Sequence, residues 1–445
     1  MSHERYTTRS GTQHPAGAAM AQILAAATTA ADPGVQIRRV LRASDTTVWV
    51  ADEALTPARV IILAGGKAAP AMAAASLAVL GARVSHGLVV FKDIDPHTPR
   101  DPRLIYHAAG HPVPDARSCT AGAAALALLA AAGADDLVLV LLSGGGSALL
   151  VDLAPGISLP MLQALTRRLL ASGADITAIN TVRRRIDRVK GGGLARAGAH
   201  TTLRTLILSD VIGNSLTAIA SGPTVPNPDD ADAARQVLMT AGIAQLVDPA
   251  ILAACSTPIT RQPVAQTPII IADISQSLAA ASDAARAAGY APTLVSAALA
   301  GDALHAGASI AALLRALPPS RQPRCLLWGG ETTVTLVPQH GHGGRNQTVA
   351  LAIAQGIAGG TDALVAAYAT DGGDGPTDAA GAVVTATTWQ RAQDNGLDPA
   401  QHLSQHNAYP LFAALGDLLL PGPTGTNVND VVVALVGNHE LGIMN

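Results

Sequence analysis

At 445 residues the chain is too long for one ordinary hydrophobic core, so two domains are expected. Its 49% hydrophobic and 14% charged residues describe a folded globular protein, while a net charge of -3 and only 2% aromatics exclude the basic surface and stacking platforms of a nucleic-acid binder. The longest apolar stretch falls short of the ~20 residues of a membrane span, and three scattered cysteines, Cys119, Cys255 and Cys325, make neither a disulfide framework nor a zinc site and fit a reducing cytoplasm.

Residues 16–31 are alanine-rich with Gln22 in the middle, which predicts a surface helix rather than a leader. The next apolar run, 58–66, is predicted to be a strand and ends in Gly65-Gly66-Lys67. Lys67 is conspicuous, because only Lys67, Lys92 and Lys190 among the 29 basic residues are lysines. A P-loop is ruled out by Ile61 and Ala68 where glycine and a hydroxyl are required. A cation just ahead of a helix opposes the helix dipole, so Lys67 there expects an anion, and a compact ammonium suits a phosphoryl group in transit.

Strand patterns come next at 86–92 and 136–146, the second running into Ser143-Gly144-Gly145-Gly146-Ser147. A glycine turn opening a helix aims backbone N–H groups at one place, which predicts a phosphate site. Leu149 stands where both the nucleophile elbow and the dinucleotide fingerprint need glycine. In 179–195, Arg183, Arg184, Arg185, Arg188 and Lys190 cluster ahead of three glycines. Arg183 and Lys190, seven apart and expected on one helix face, are the candidates to grip a carboxylate or phosphates.

Further strands are predicted at 204–210, 268–273, 291–296, 324–337, 363–373 and 430–436. The proline-rich stretch 256–268 marks the best boundary, giving domains 14–255 and 268–445. Continuous rather than alternating apolarity means strands buried on both faces, hence an α/β class with parallel strands under helices. Ligands in such sheets sit outside the carboxyl ends of the strands. Asp210, Gly330-Glu331, Asp371 and Asp374 all come directly after a strand there, where carboxylates hold Mg²⁺ or accept a hydroxyl proton. Asp378 reads as a turn cap, and the His340/His342 pair lacks a third metal ligand. Arg345, between glycines and a helical pattern, suits an anionic partner. The residues together describe an α/β phosphate-handling enzyme, with phosphoryl transfer assisted by Mg²⁺.

The stretches "GGKAAPAM", "AGHPVPDARS", "LLSGGGSALL", "SGADITAINTVRRRIDRVKGGGLA", "LILSDVIGNSLTAIASGPT", "GGETTVT…GGRNQ", "ATDGGDGPTDAAGA" and "GPTGTNVNDVVVALV" run in one order from about residue 16 to about 436. In this the chain resembles the glycerate 2-kinase family, also labelled hydroxypyruvate reductase, with its MOFRL-type C-terminal region. The resemblance implies two unlike α/β domains flanking a deep cleft: a Rossmann-like parallel sheet N-terminally and a smaller mixed domain C-terminally. It implies ATP-dependent phosphorylation of D-glycerate at the 2-hydroxyl, giving 2-phosphoglycerate and ADP with Mg²⁺. Lys67, Asp210 and Arg345 match positions proposed there as catalytic. On this reading Ser143 to Ser147, Lys190, Gly330 and Glu331 meet the nucleotide, Arg183 and Asn346 the substrate, and Asp371 and Asp374 the metal. Asp187 stands where members usually carry serine. Neither a membrane nor a nucleic acid is expected as partner, and a homodimer is compatible with the sequence. Two alternatives stand beside it: an NAD(P)H-dependent hydroxypyruvate reductase, which the Leu149 mismatch disfavours, and a non-catalytic nucleotide- or sugar-phosphate-binding regulator.

Overall fold

The computed structural model describes residues 3–92, 100–230, 232–257, 267–336 and 338–437. Its contacts divide the chain into two units, Pro33–Ala272 and the combination of Met1–Asp32 with Asp273–Asn445. The proline-rich boundary expected at 256–268 lies largely outside the described residues, which resume at residue 267.

In the Pro33–Ala272 unit, short strands β1 (Leu41–Ala43), β2 (Val48–Val50) and β3 (Glu53–Leu55) form an antiparallel meander. The main sheet is built from β4 (Val60–Gly65), β5 (Val84–Phe91), β6 (Leu104–Ala108), β7 (Leu137–Leu142), β8 (Thr202–Leu208) and β9 (Ile269–Ala272). These strands are parallel throughout and lie in the spatial order β6-β5-β4-β7-β8-β9. Every residue of β4 and β7 is buried, as expected of strands covered by helices on both faces. Ile61, Leu63, Val138 and Val140 pack with Ala121, Ala125 and Leu129 of helix Ala116–Ala131 on one side. A separate apolar cluster joins helices Leu159–Ala171, Ile176–Ile186, Ala233–Thr240 and Pro249–Ser256 through Leu162, Val182, Leu238 and Ile251.

The second unit carries a mixed sheet of β10 (Ala291–Leu299), β11 (Arg324–Gly330), β12 (Ala363–Ala369), β13 (Gly381–Thr385), β14 (Leu418–Leu419) and β15 (Asp430–Val436). The order is β10-β11-β15-β12-β13-β14, with only β10 and β11 paired in parallel. Alternate residues of β12 serve opposite faces. Val365 and Ala367 pack with helices Ala303–Ala316 and Arg345–Ile357, whereas Leu364, Ala366 and Tyr368 pack with helices Gly17–Ala30 and Ile274–Ala287.

That second face explains two departures from the sequence reading. Helix Gly17–Ala30 is not a surface helix: Met20, Ile23 and Leu24 are fully buried against the mixed sheet. Residues 14–32 consequently belong to the unit of 273–445 and not, as expected, to the unit of 33–255. Without the N-terminal helix, Leu364, Ala366 and Tyr368 would lose part of their cover.

Candidate active site

The order β6-β5-β4-β7-β8-β9 is the doubly wound pattern in which the chain direction of crossover reverses between β4 and β7. Ligands in such sheets bind beyond the carboxyl ends of the two strands flanking that reversal. β4 runs into Gly65-Gly66-Lys67, and β7 into Ser143–Ser147. The two turns are interlocked: the Lys67 N–H donates to the Gly144 carbonyl at 2.8 Å, and the Ala68 N–H to Ser143 Oγ at 3.0 Å. Gly66 has φ of 136°, and a Cβ there would collide with Ser143, so glycine is required for this close approach. A Cβ on Gly145 would lie 3.1 Å from His111 Cδ2 and 3.5 Å from Lys67 Cγ, which places an imidazole, a lysine stem and the glycine turn together.

One feature of this edge differs from the sequence expectation. The helix after the glycine turn is only Gly146–Leu149, too short to supply a macrodipole for anion binding. The turn does offer backbone donors: among the described residues, the N–H groups of Gly144, Gly145 and Ser147 reach no protein acceptor. Lys67, by contrast, does precede a full helix, Ala69–Leu80, and its side chain is exposed. A cation there meets the positive end of the dipole, which an incoming anion would relieve. Asp210, just beyond β8, is half-buried at the same carboxyl edge of the sheet.

Arg183 and Lys190 do not share a helix face. The helix ends at Ile186, and Asp187 leaves it with extended backbone, so the seven-residue spacing has no helical meaning. The two cations are instead related through Asp187. Lys190, 2% exposed, donates from Nζ to Asp187 Oδ2 at 2.5 Å and to the Leu150 carbonyl at 3.0 Å. Burial pulls the ammonium below its ordinary range, and Asp187 opposes that shift. The nucleotide contact expected of Lys190 is thus replaced by an internal ion pair, because a buried ammonium demands a counter-charge. Asp187, the departure from the resembling family, is that counter-charge and also accepts the Val189 N–H at 2.9 Å. Arg183 remains half-buried, drawn below its usual range by burial, with Asp187 pulling the other way.

In the other unit, the amino end of helix Arg345–Ile357 meets the ends of β11, β12 and β15. Arg345 grips Asp430 with Nε and Nη2 at 2.6 and 3.0 Å and reaches Glu331 with Nη1 at 2.5 Å. These acids, Asp430 first, hold the guanidinium above its usual range although burial works against it. Asp430 gives no signal in the sequence, because it opens its strand, whereas the other candidates lie just past the end of theirs. β15 runs antiparallel to its neighbours, so its first residue reaches the same edge as their last. Gly330 ends β11 directly before Glu331. His342 packs on Tyr409 at a tilt of 59° with ring centroids 4.9 Å apart, and Asp378 accepts the Tyr409 hydroxyl at 2.7 Å.

The proposed metal carboxylates fare differently. Asp374 is 1% exposed, and its two oxygens accept the Asn346 and Gln347 N–H groups at 3.1 and 2.9 Å. It therefore caps the helix, and Asn346, also buried, donates its side-chain amide to the same carboxylate at 3.4 Å. That arrangement does not suit Asp374 to a metal or Asn346 to a substrate. Asp371 is half-buried and accepts the Gly373 N–H at 3.1 Å through one of its two carboxylate oxygens. Among the described residues no group of three metal-ligating side chains converges. A Mg²⁺ held by one carboxylate and substrate phosphates needs no such cage, and Asp371 fits that donor set.

Burial pushes the Asp374 carboxyl up to about 7, more than the backbone N–H groups and Arg345 lower it. A folded-state value above the unfolded one means that the native state binds more protons between about pH 4 and 7. The stability from this group is therefore complete below pH 4 and is lost as the pH rises through 7. The melting temperature of Asp374→Asn, followed by circular dichroism from pH 5 to 8, is expected to decline less with pH than that of the parent protein. An equal decline in both would show that another group sets it.

A family model described as a domain of unknown function, DUF4147, matches residues 19–256, and the MOFRL family model matches 324–430. The glycerate 2-kinase of Pyrococcus horikoshii is 38% identical over 93% of this chain and 96% of its own length. The D-glycerate 2-kinase of Thermotoga maritima is 38% identical over 85% of this chain and 91% of its own. A crystal structure of a glycerate kinase from Thermotoga maritima superposes with a TM-score of 0.82 at 35% identity, covering 93% of this chain and 98% of that one. Matches of this extent through both units decide the assignment, and the chain belongs to the glycerate 2-kinase family of enzymes.

Proposed function

We propose that this enzyme transfers the γ-phosphoryl group of ATP to the 2-hydroxyl of D-glycerate. The observation that carries the reading is the interlocked pair of turns at the β4/β7 reversal, which brings Lys67 to a turn with three backbone donors that meet no protein acceptor among the described residues. The relatives named glycerate 2-kinase and D-glycerate 2-kinase support the choice of substrate. In this mechanism the N–H groups of Gly144, Gly145 and Ser147 receive phosphate oxygens, which are acceptors only. Lys67 stabilises the charge of the group in transit, the main demand of phosphoryl transfer. Asp210 orients the 2-hydroxyl and takes its proton as the new O–P bond forms and the bond to the ADP oxygen breaks. Arg183 answers the substrate carboxylate. In the other unit the Arg345 guanidinium, held by Asp430 and Glu331, has the chemistry to receive an anionic group. A bound Mg²⁺ would supply charge neutralisation on the phosphates, and Asp371 is the carboxylate whose chemistry would suit it as a protein ligand. No helix among the described residues is long and apolar enough to cross a membrane, and three free cysteines support a cytoplasmic setting.

The test is the purified protein with D-glycerate, ATP and Mg²⁺, coupled in parallel to ADP release and to detection of 2-phosphoglycerate. Glycerate-dependent ADP release with matching 2-phosphoglycerate is the expected result. Oxidation of NADH by hydroxypyruvate without ADP formation would instead establish the reductase.

A further inference from the structure

Ser147 Oγ lies 2.9 Å from Ser221 Oγ, and Ser221 Oγ donates to Asn180 Oδ1 at 3.1 Å. A serine hydroxyl has one proton and two lone pairs. Because the Ser221 proton goes to Asn180, the contact between the serines is filled by the proton of Ser147. Ser221 and Asn180 are 0% and 4% exposed, so water does not offer either of them another partner. Ser147 Oγ is left with lone pairs only, at a turn whose backbone offers only donors. The chain distorts locally to hold this arrangement. Ala220 and Ser221 both adopt left-handed backbone, with φ of 50° and 63°, which costs about 1 kcal/mol or more for each non-glycine residue. The Gly191 and Gly192 N–H groups pin the strained segment through the Ser221 and Gly222 carbonyls at 3.0 and 2.7 Å.

We infer that Asn180 and Ser221 are positioning residues that fix Ser147 as a hydrogen-bond acceptor for a hydroxyl of the hydroxy-acid substrate. The inference rests on the kinase reading above and divides the turn between two ligands. Phosphate oxygens cannot donate, so they take the backbone N–H groups, and the Ser147 hydroxyl requires a donor. The group that must sit beside the transferring phosphoryl and carries such a donor is the hydroxy acid, since the ribose hydroxyls are separated from it by the whole phosphate chain.

Steady-state kinetics on Ser147→Ala, Ser221→Ala and Asn180→Asp, with melting temperatures for each, test the relay. Ser147→Ala and Ser221→Ala are expected to raise KM for D-glycerate about 3- to 10-fold, the worth of one neutral hydrogen bond, with KM for ATP within about twofold of the parent. Asn180→Asp keeps an oxygen acceptor for Ser221 and so keeps KM for D-glycerate. A rise in KM for ATP instead of D-glycerate, or a D-glycerate defect in a well-folded Asn180→Asp as large as that of Ser221→Ala, would overturn the polarity assigned to Ser147. Absence of glycerate-dependent ADP release in the parent protein would be a failure of the kinase reading itself, and is separable from these outcomes.

Discussion

Lys67→Ala is expected to lower kcat by about 10³-fold while leaving the protein folded and able to bind ADP. The side chain is exposed, and the Lys67 N–H on the Gly144 carbonyl and the Ala68 N–H on Ser143 Oγ, which join this turn to its neighbour, are both retained by alanine at position 67. Surface substitutions of this kind change stability by no more than about 0.5 kcal/mol, so the melting temperature should move by no more than about 2 °C. The chemical loss is large because the ammonium acts on charge that develops during transfer and not on the resting ligand. The defect therefore appears in kcat and leaves KM for ATP nearly unchanged. Lys67→Arg should recover little, since a broad planar guanidinium does not reproduce a compact ammonium on the stem that passes Gly145. An unchanged kcat in Lys67→Ala would remove this residue from the site.

The parts of this molecule that were readable in its sequence are those where a local rule suffices. Runs such as Val60–Gly65 and Leu137–Leu142 are apolar without alternation, and burial on both faces leaves no other structure for them. Glycines and a lysine directly after those runs had to lie at the carboxyl edge of the sheet, wherever each strand stood in it. What the sequence withheld depends on partners distant along the chain. Helix Gly17–Ala30 looked exposed because alanine gives it no strong apolar stripe, yet small side chains are what permit its close packing under Tyr368 and Leu364. Asp430 was missed because strand direction in a mixed sheet is invisible locally.

The acids illustrate the same limit. Asp371 and Asp374 are three residues apart and look alike in the sequence, but one is half-buried and the other is enclosed as the cap of a helix that begins at Arg345. Ser221 and Asn180 gave no signal at all, since their link to Ser147 arises from left-handed backbone at Ala220 and Ser221 that no residue type there announces.

Lys190→Met is expected to destabilise the fold by about 3–5 kcal/mol, the usual consequence of stranding one member of a buried ion pair. Asp187 would be left 5% exposed, its charge answered by the Val189 and Asp152 N–H groups at 2.9 and 3.2 Å and by the field of the half-buried Arg183, with no ammonium hydrogen-bonded to it. Adding Asp187→Asn should recover most of the loss, because the amide oxygen still accepts from those N–H groups and no charge is left buried. Urea unfolding of both variants measures this directly, and a Lys190→Met protein within about 1 kcal/mol of the parent would mean that Asp187 is neutralised with ease. The same variants separate a structural from a nucleotide-contacting role for Lys190. Its Nζ also holds the Leu150 carbonyl, just beyond the glycine turn, so the ammonium acts as a strut under the turn. Assayed well below its melting transition, the double variant should keep KM for ATP within a fewfold of the parent. A lysine that touched the phosphates would instead show a large rise in that KM even where the protein is fully folded.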